Sequence, residues 1–287
     1  MNRLSISKIT LLGASLIVAA VGILLLQSNG GPEIGPEARY AEPNEDEKTG
    51  ADGCPEGAEG AGLGPEMVRL PEGFCIDTTE VSRSQYDAWL GTSPQTTGQG
   101  GACSDNGEFT PSCSWPPGNN ADLPVVCVDW CDAKAFCEAA GKRLCGGIRD
   151  GSAYSLDAYD DPSVSEWHAA CTSGGTYQYT YGDEPDTESC REGDAEDSST
   201  WGLGSVGSFA DCHSPETEYA AVYDLSGNAA EWDNSCEGSD PADGCRIRGG
   251  SFEHQGRGLR CAMAKGLRWP RMRKVQAVGF RCCANGG

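Results

Sequence analysis

Three regimes of hydrophobic patterning follow one another along the chain. Ile9 to Leu26 is predominantly apolar, preceded by Arg3 and Lys8 and closed by Gln27 and Ser28. Eighteen helical residues reach about 27 Å, close to the thickness of a bilayer's hydrocarbon core. Residues 1–28 therefore read as a signal anchor or a signal peptide, with the basic flank inside and the rest of the chain outside. Leu24, Leu25 and Leu26 stand where a cleavage site needs small residues, which points to the uncleaved anchor. Residues 29–65 are rich in Gly, Pro, Glu and Ala and nearly lack large apolar side chains. Such a stretch cannot bury enough surface to offset its ordering entropy, so it reads as a flexible linker.

From residue 66 to 287 apolar positions recur in short bursts, the pattern of one domain of short elements. Met67–Leu70 and Phe74–Asp77 predict two strands around the Pro71-Glu72-Gly73 turn, and Val125–Val128 predicts another. Ser82 followed by Gln85 forms a capping box, with Val81 as a hydrophobic staple and Tyr86, Trp89 and Leu90 at helical spacing behind it. A second helix is predicted from about Cys131 to Ala140, with Gly141 as its stop, and a third around Ser165–Cys171. Beyond Thr172 the sequence is mostly Gly, Ser, Asp and Thr with isolated aromatics. That composition predicts long loops between short strands, an α+β domain held by cross-links.

The cross-links come from sixteen cysteines. Cys127, Cys131, Cys137 and Cys145 crowd together, but without the paired CxxC knuckles of a zinc site. In an exported chain an even, dispersed set reads as a disulfide framework. Proximity along the chain suggests Cys103 with Cys113, Cys190 with Cys212 and Cys236 with Cys245. Cys54 is expected to staple the end of the linker to the domain.

A formal net charge of −22 excludes nucleic acid as a partner, since phosphate binding needs a cationic surface. Arg246 to Arg281 is nevertheless basic, and either pairs internally with the acidic remainder or forms an anion-binding face. No HExxH, GxSxG or P-loop signature is present in the sequence.

Several blocks, in order, resemble the formylglycine-generating enzyme (sulfatase-modifying factor) family. They are Glu80-Val-Ser, Pro124-Val-Val-Cys-Val-Asp-Trp130, Gly141-Lys-Arg-Leu144, Glu166-Trp167, Val222-Tyr-Asp-Leu-Ser-Gly-Asn-Ala-Ala-Glu-Trp232, Arg248-Gly-Gly-Ser-Phe252 and Val278-Gly-Phe-Arg-Cys282. The resemblance spans about Met67 to Ala284. It implies a C-type-lectin-like variant fold with two helices and few regular strands. It also implies that Cys137 pairs with Cys282 and Cys171 with Cys261. The partners of Cys54, Cys75, Cys127, Cys131, Cys145 and Cys283 stay open.

The resemblance further implies structural calcium at Asp224, the Gly227 and Ala229 carbonyls, and Glu231, a set of hard oxygen donors suited to Ca²⁺. The alternative for this segment is a capped turn with two solvated acids. A second calcium position of the family falls at 190–197, where Arg191 intrudes, and is not carried over. Family enzymes oxidise a substrate cysteine with oxygen, through two copper-binding thiolates shortly after Gly-Gly-Ser. Here Glu253 and His254 occupy that stretch and no cysteine follows before Cys261, so copper is not expected. Ser251 and His254 remain as pocket residues, His254 either as a metal ligand or acid/base group or as a plain loop histidine.

Two functions follow. The first is a non-catalytic, extracytoplasmic binding or structural module for a protein, peptide or glycan, touching membrane only through its N-terminal segment. The second is an oxidoreductase or other metalloenzyme of the family with altered ligands.

Overall fold

A computed structural model describes residues 53–57, 62–193, 202–262 and 267–287. The expected N-terminal segment 1–28 and most of the 29–65 linker lie outside these residues. Among the described residues no helix is long and apolar enough to cross a membrane.

Strands β1 (Met67–Arg69) and β2 (Phe74–Asp77) form the predicted hairpin. Helix α1 (Arg83–Gly91) starts where the sequence places it: Ser82 caps the Gln85 N–H, and the Gln85 side chain returns to the Ser82 N–H. Helix α2 (Trp130–Ala139) carries a second reciprocal cap, Asp129 with Asp132. The short strand β3 (Arg143–Leu144) and helix α3 (Glu166–Thr172) follow. The second half supplies β4 (Ala230–Cys236), β5 (Gly244–Arg248), β6 (Arg268–Pro270), β7 (Val278–Gly279) and β8 (Cys282–Asn285).

Among the described residues two four-stranded sheets form, ordered β1-β2-β8-β3 and β6-β5-β4-β7. All pairings are antiparallel except β4 with β7. β8 sits between β2 and β3, so the last strand of the chain closes a sheet begun by the first. Successive side chains on a strand point to opposite faces, and β8 presents Cys282 and Cys283 in succession. Cys282 enters the core of Tyr86, Trp89, Phe136 and Phe280, and Cys283 enters a second core with Phe74, Trp167 and Leu225. Each is stapled there, Cys282 to Cys137 of α2 and Cys283 to Cys145 just after β3. One strand thereby locks both cores.

All sixteen cysteines are bonded, in eight disulfides. Cys54 joins Cys75, Cys171 joins Cys261, Cys190 joins Cys212 and Cys236 joins Cys245. The expected Cys103–Cys113 link is not formed: Cys103 pairs with Cys131 and Cys113 with Cys127. The expected strand Val125–Val128 is also absent, and the two departures share a cause. Val125 donates to the Val81 carbonyl, but Cys127, at φ +61°, donates to Val275 on a different neighbour. That left-handed residue ends any ladder, and the Cys127 carbonyl accepts from Ser112, next to Cys113. α2 then begins at Trp130 and brings Cys131 against the turn at Gly101–Cys103. Such density of disulfides is that of a chain folded in an oxidising compartment.

Candidate functional site

The segment from Asp224 to Glu231 is built from unusual backbone. Asp224, Gly227 and Asn228 all have positive φ. At Gly227 a Cβ would stand 2.2 Å from the Arg191 carbonyl oxygen, so only glycine fits. The Asn228 N–H donates to that same carbonyl at 2.8 Å. Its side-chain oxygen accepts from Gly204 at 2.9 Å, and its own carbonyl accepts from Phe252. The turn thus pins three loops, at 191, 204 and 252, around one residue.

β4 then delivers Glu231 into the interior, where Arg281 donates from Nε at 2.9 Å to both carboxylate oxygens and pairs through Nη2 at 2.8 Å. Trp167 adds its indole N–H to Glu231 Oε2 at 2.8 Å. Asp224 Oδ2 accepts from the Gly207 N–H at 2.6 Å, and Glu80 Oε1 from the Ala229 N–H at 3.3 Å. Burial, reinforced by the Asp224 charge, pushes the Glu80 carboxyl well above its ordinary range. Burial likewise pushes Asp224 up, to about 6. The Glu231 charge raises both further, and Arg281 opposes both shifts. Three buried acids therefore face one guanidinium.

This geometry bears on calcium. Asp224 Oδ1 and Glu80 Oε2 are buried carboxylate oxygens with no hydrogen-bond partner, and three carboxyl groups share the single guanidinium of Arg281. Charge and hard oxygen chemistry both suit Ca²⁺. Among the described residues no three His, Cys, Asp or Glu side chains group as a metal site.

Ser251 and His254 lie one turn further on, after Gly249 and Gly250, both at positive φ. A Cβ on Gly250 would come within 2.3 Å of the Gly258 carbonyl oxygen, so the loop 251–259 folds back against the glycine pair. The Ser251 N–H donates to His254 Nδ1 at 3.1 Å, and Ser251 Oγ lies 3.0 Å from the same nitrogen. A backbone N–H can only donate, so Nδ1 accepts there and the His254 side chain closes the turn. Ser251 is fully buried, which removes it as an accessible nucleophile.

Beside this loop lies a cavity of about 710 Å³, lined by Pro185, Glu188, Arg191, Glu192, Phe209 and Gln255 among others. The Gly193 N–H donates to the His254 carbonyl at 2.8 Å, and the Gly256 N–H to Glu192 Oε2 at 3.1 Å. These bonds hold the two walls together.

Sequence reasoning missed the partners that settle Glu231. Arg281 and Trp167 lie 50 and 64 residues away, although both fall in quoted motif blocks. It also missed a second buried hub. Arg248 donates from Nε to Asp233 at 2.7 Å and from Nη1 to the Tyr159 carbonyl at 2.7 Å, with Tyr154 and Ser165 completing its shell. His168, packed nearby, is held down to about 4, first by burial and then by the Arg248 charge. The basic stretch divides accordingly: Arg246, Arg248, Arg271 and Arg281 are buried, while Arg257, Arg268 and Arg273 are exposed.

The Sulfatase-modifying factor enzyme 1-like domain matches residues 41–286, nearly the whole chain. The chain belongs to the sulfatase-modifying factor family. The α+β arrangement of few helices and short strands is therefore this family's fold, here cross-linked by eight disulfides. Among solved structures the sulfatase-modifying factor domain is similar to CarF, with 18% identity and a TM-score of 0.50, over 74% of this chain and 86% of that one. It also resembles PvdO from Pseudomonas aeruginosa, at 19% identity and TM-score 0.46, over 74% and 80% of the two chains. Treponema denticola variable protein 1 aligns at 16% identity and TM-score 0.46, over 78% and 92%. No curated protein matches the chain in sequence.

Proposed function

We propose that this sulfatase-modifying factor domain is a non-catalytic binding module, exported and held outside the membrane by its N-terminal segment. It presents the 251–260 loop and the adjoining cavity to a protein, peptide or glycan. The observation that carries this reading is the complete pairing of the cysteines. Thiolates are the ligands that soft Cu(I) takes, and a sulfur in a disulfide has no thiolate to give. The first cysteine after Gly249-Gly250-Ser251 is Cys261, and it is bonded to Cys171. A rigid scaffold displaying a surface loop is the arrangement in which binding function commonly resides.

The test is direct. The purified chain, titrated for thiols under denaturing conditions without reductant, is expected to release none. Loaded with copper and given a cysteine-containing sulfatase peptide under oxygen, it is expected to oxidise no more peptide than free copper does. Turnover above that blank would overturn the reading.

Calcium belongs to the same proposal as a structural ion, held by Asp224, the Gly227 and Ala229 carbonyls, and Glu231, whose carboxylate would share the ion with Arg281. Bound there it would supply positive charge to a buried acidic cluster and fix the turn that pins the three loops. The expected result is a melting temperature raised by millimolar Ca²⁺ and lowered by a chelator in wild type, with the response lost in Asp224→Asn. By linkage, free ion at a hundred times its dissociation constant contributes about 2.7 kcal/mol. A melting curve indifferent to Ca²⁺ and chelator would remove the ion from the account.

A further inference from the structure

Fourteen of the sixteen cysteines are buried, and only Cys113 and Cys236 are partly exposed. Cys236 ends β4 and stands directly opposite Cys245 on β5, with Cα atoms 4.0 Å apart. Its disulfide closes the shortest loop of the eight, nine residues in sequence separation. The two sulfurs have different surroundings. Cys236 is half-buried, whereas Cys245 is fully buried and accepts from Arg271 Nε at 3.4 Å.

Arg271 has a second task. Its Nη2 donates to the Gly238 carbonyl at 2.8 Å, its Nη1 to the Asp240 carbonyl at 3.3 Å, and its backbone N–H to the Asp243 carbonyl at 2.9 Å. The guanidinium itself lies 4.7 Å from the centre of the Trp130 ring. The hairpin connecting the two cysteines is therefore clamped by an arginine as well as by sulfur.

We propose that Cys236–Cys245 is a thiol-exchange site, taking a small-molecule thiol as a mixed disulfide on Cys236. An incoming thiolate attacks Cys236 Sγ, on the less buried residue of the pair. The Cys236–Cys245 bond breaks as the new bond forms, and its electron pair leaves on Cys245 Sγ as a thiolate. No net oxidation or reduction occurs in this step. A thiol of lower pKa leaves faster, and an adjacent guanidinium lowers a thiol's pKa. Arg271 is thus a positioning residue that both stabilises the leaving sulfur and keeps the opened hairpin in place. Glu237, Asp240 and Asp243 surround the hairpin, Glu237 being paired with Arg268. That acidic rim favours a cationic thiol over an anionic one. The site lies on the β4–β5 hairpin and its behaviour does not depend on whether the 251–260 loop is catalytic.

The experiment treats the native full chain with limiting cysteamine or glutathione, blocks free thiols by alkylation, and maps the modified peptides. The first adduct is expected on Cys236, with Cys245 alkylated, and with cysteamine severalfold faster than glutathione at equal thiolate concentration. A first adduct at Cys113, at Cys245 or within any other pair overturns the proposal. In Cys236→Ser, the free Cys245 is expected to ionise below the ordinary cysteine value of about 8.5, read by thiolate ultraviolet absorbance against pH. Adding Arg271→Gln is expected to move it back up. A Cys245 value at or above the ordinary one in Cys236→Ser alone refutes the role given to Arg271.

Discussion

Replacing Cys137 and Cys282 together by alanine is expected to destabilise the domain by roughly 5 kcal/mol, the chain-entropy value for a loop of this length. The bond joins residues 145 apart and ties α2 to β8. Both sulfurs are fully buried in the aromatic core, so truncation to alanine also leaves unfilled volume beside Phe136 and Phe280. Guanidinium unfolding monitored by tryptophan fluorescence reads the change. The same substitution of Cys236 and Cys245, whose loop is short, is expected to cost about half as much by the same relation. The difference between the two pairs combines loop length with the core volume lost at Cys137 and Cys282. Equal losses for the two pairs would mean that closing the long loop is not what stabilises the fold.

This dependence explains what could and could not be read from residues alone. Local signals were legible because their causes are local. The Ser82–Gln85 box is made by two side chains three residues apart, and it forms as its spacing dictates. The start of α2 was legible only in part. The spacing places its start at about Cys131, but the helix begins at Trp130 and the cap is Asp129, which takes the Cys131 and Asp132 N–H groups while Asp132 answers back. Val125–Val128 shows the opposite failure. Its apolar run signals burial, which is correct, but not the ladder, because its N–H groups serve two unrelated neighbours. Cysteine pairing is a property of the folded topology. Nearness along the chain misplaced Cys103, while the long-range partners of Cys137 and Cys171 came only through the family resemblance. The site followed the same rule. Asp224 and Glu231 came through the family resemblance, as hard oxygen donors on either side of Gly227. Neither spacing nor composition could reveal that an arginine at 281 reaches back to Glu231 across the sheet.

That arginine carries the second large effect. Arg281→Met is expected to destabilise the domain by about 3–5 kcal/mol, the usual cost of leaving one member of a buried ion pair alone. The pair is fully enclosed, with side-chain exposures of 0% and 1% for Arg281 and Glu231, so solvent screening offers little relief. The loss should exceed that of an isolated pair, because the Arg281 charge also faces Glu80 and Asp224. Its Nη1 and Nη2 groups further satisfy the Asp77 and Tyr223 carbonyls at 3.1 and 2.7 Å. Pairing the substitution with Glu231→Gln removes the stranded charge while keeping a polar partner for the Trp167 N–H. The double variant is therefore expected to recover part of the loss, a coupling that a double-mutant cycle in denaturant unfolding measures directly. Strict additivity of the two single losses would show that Arg281 acts through packing alone. A positive coupling would place the balance of charge behind β4 at the centre of what keeps the 224–231 turn, and the three loops it pins, in their places.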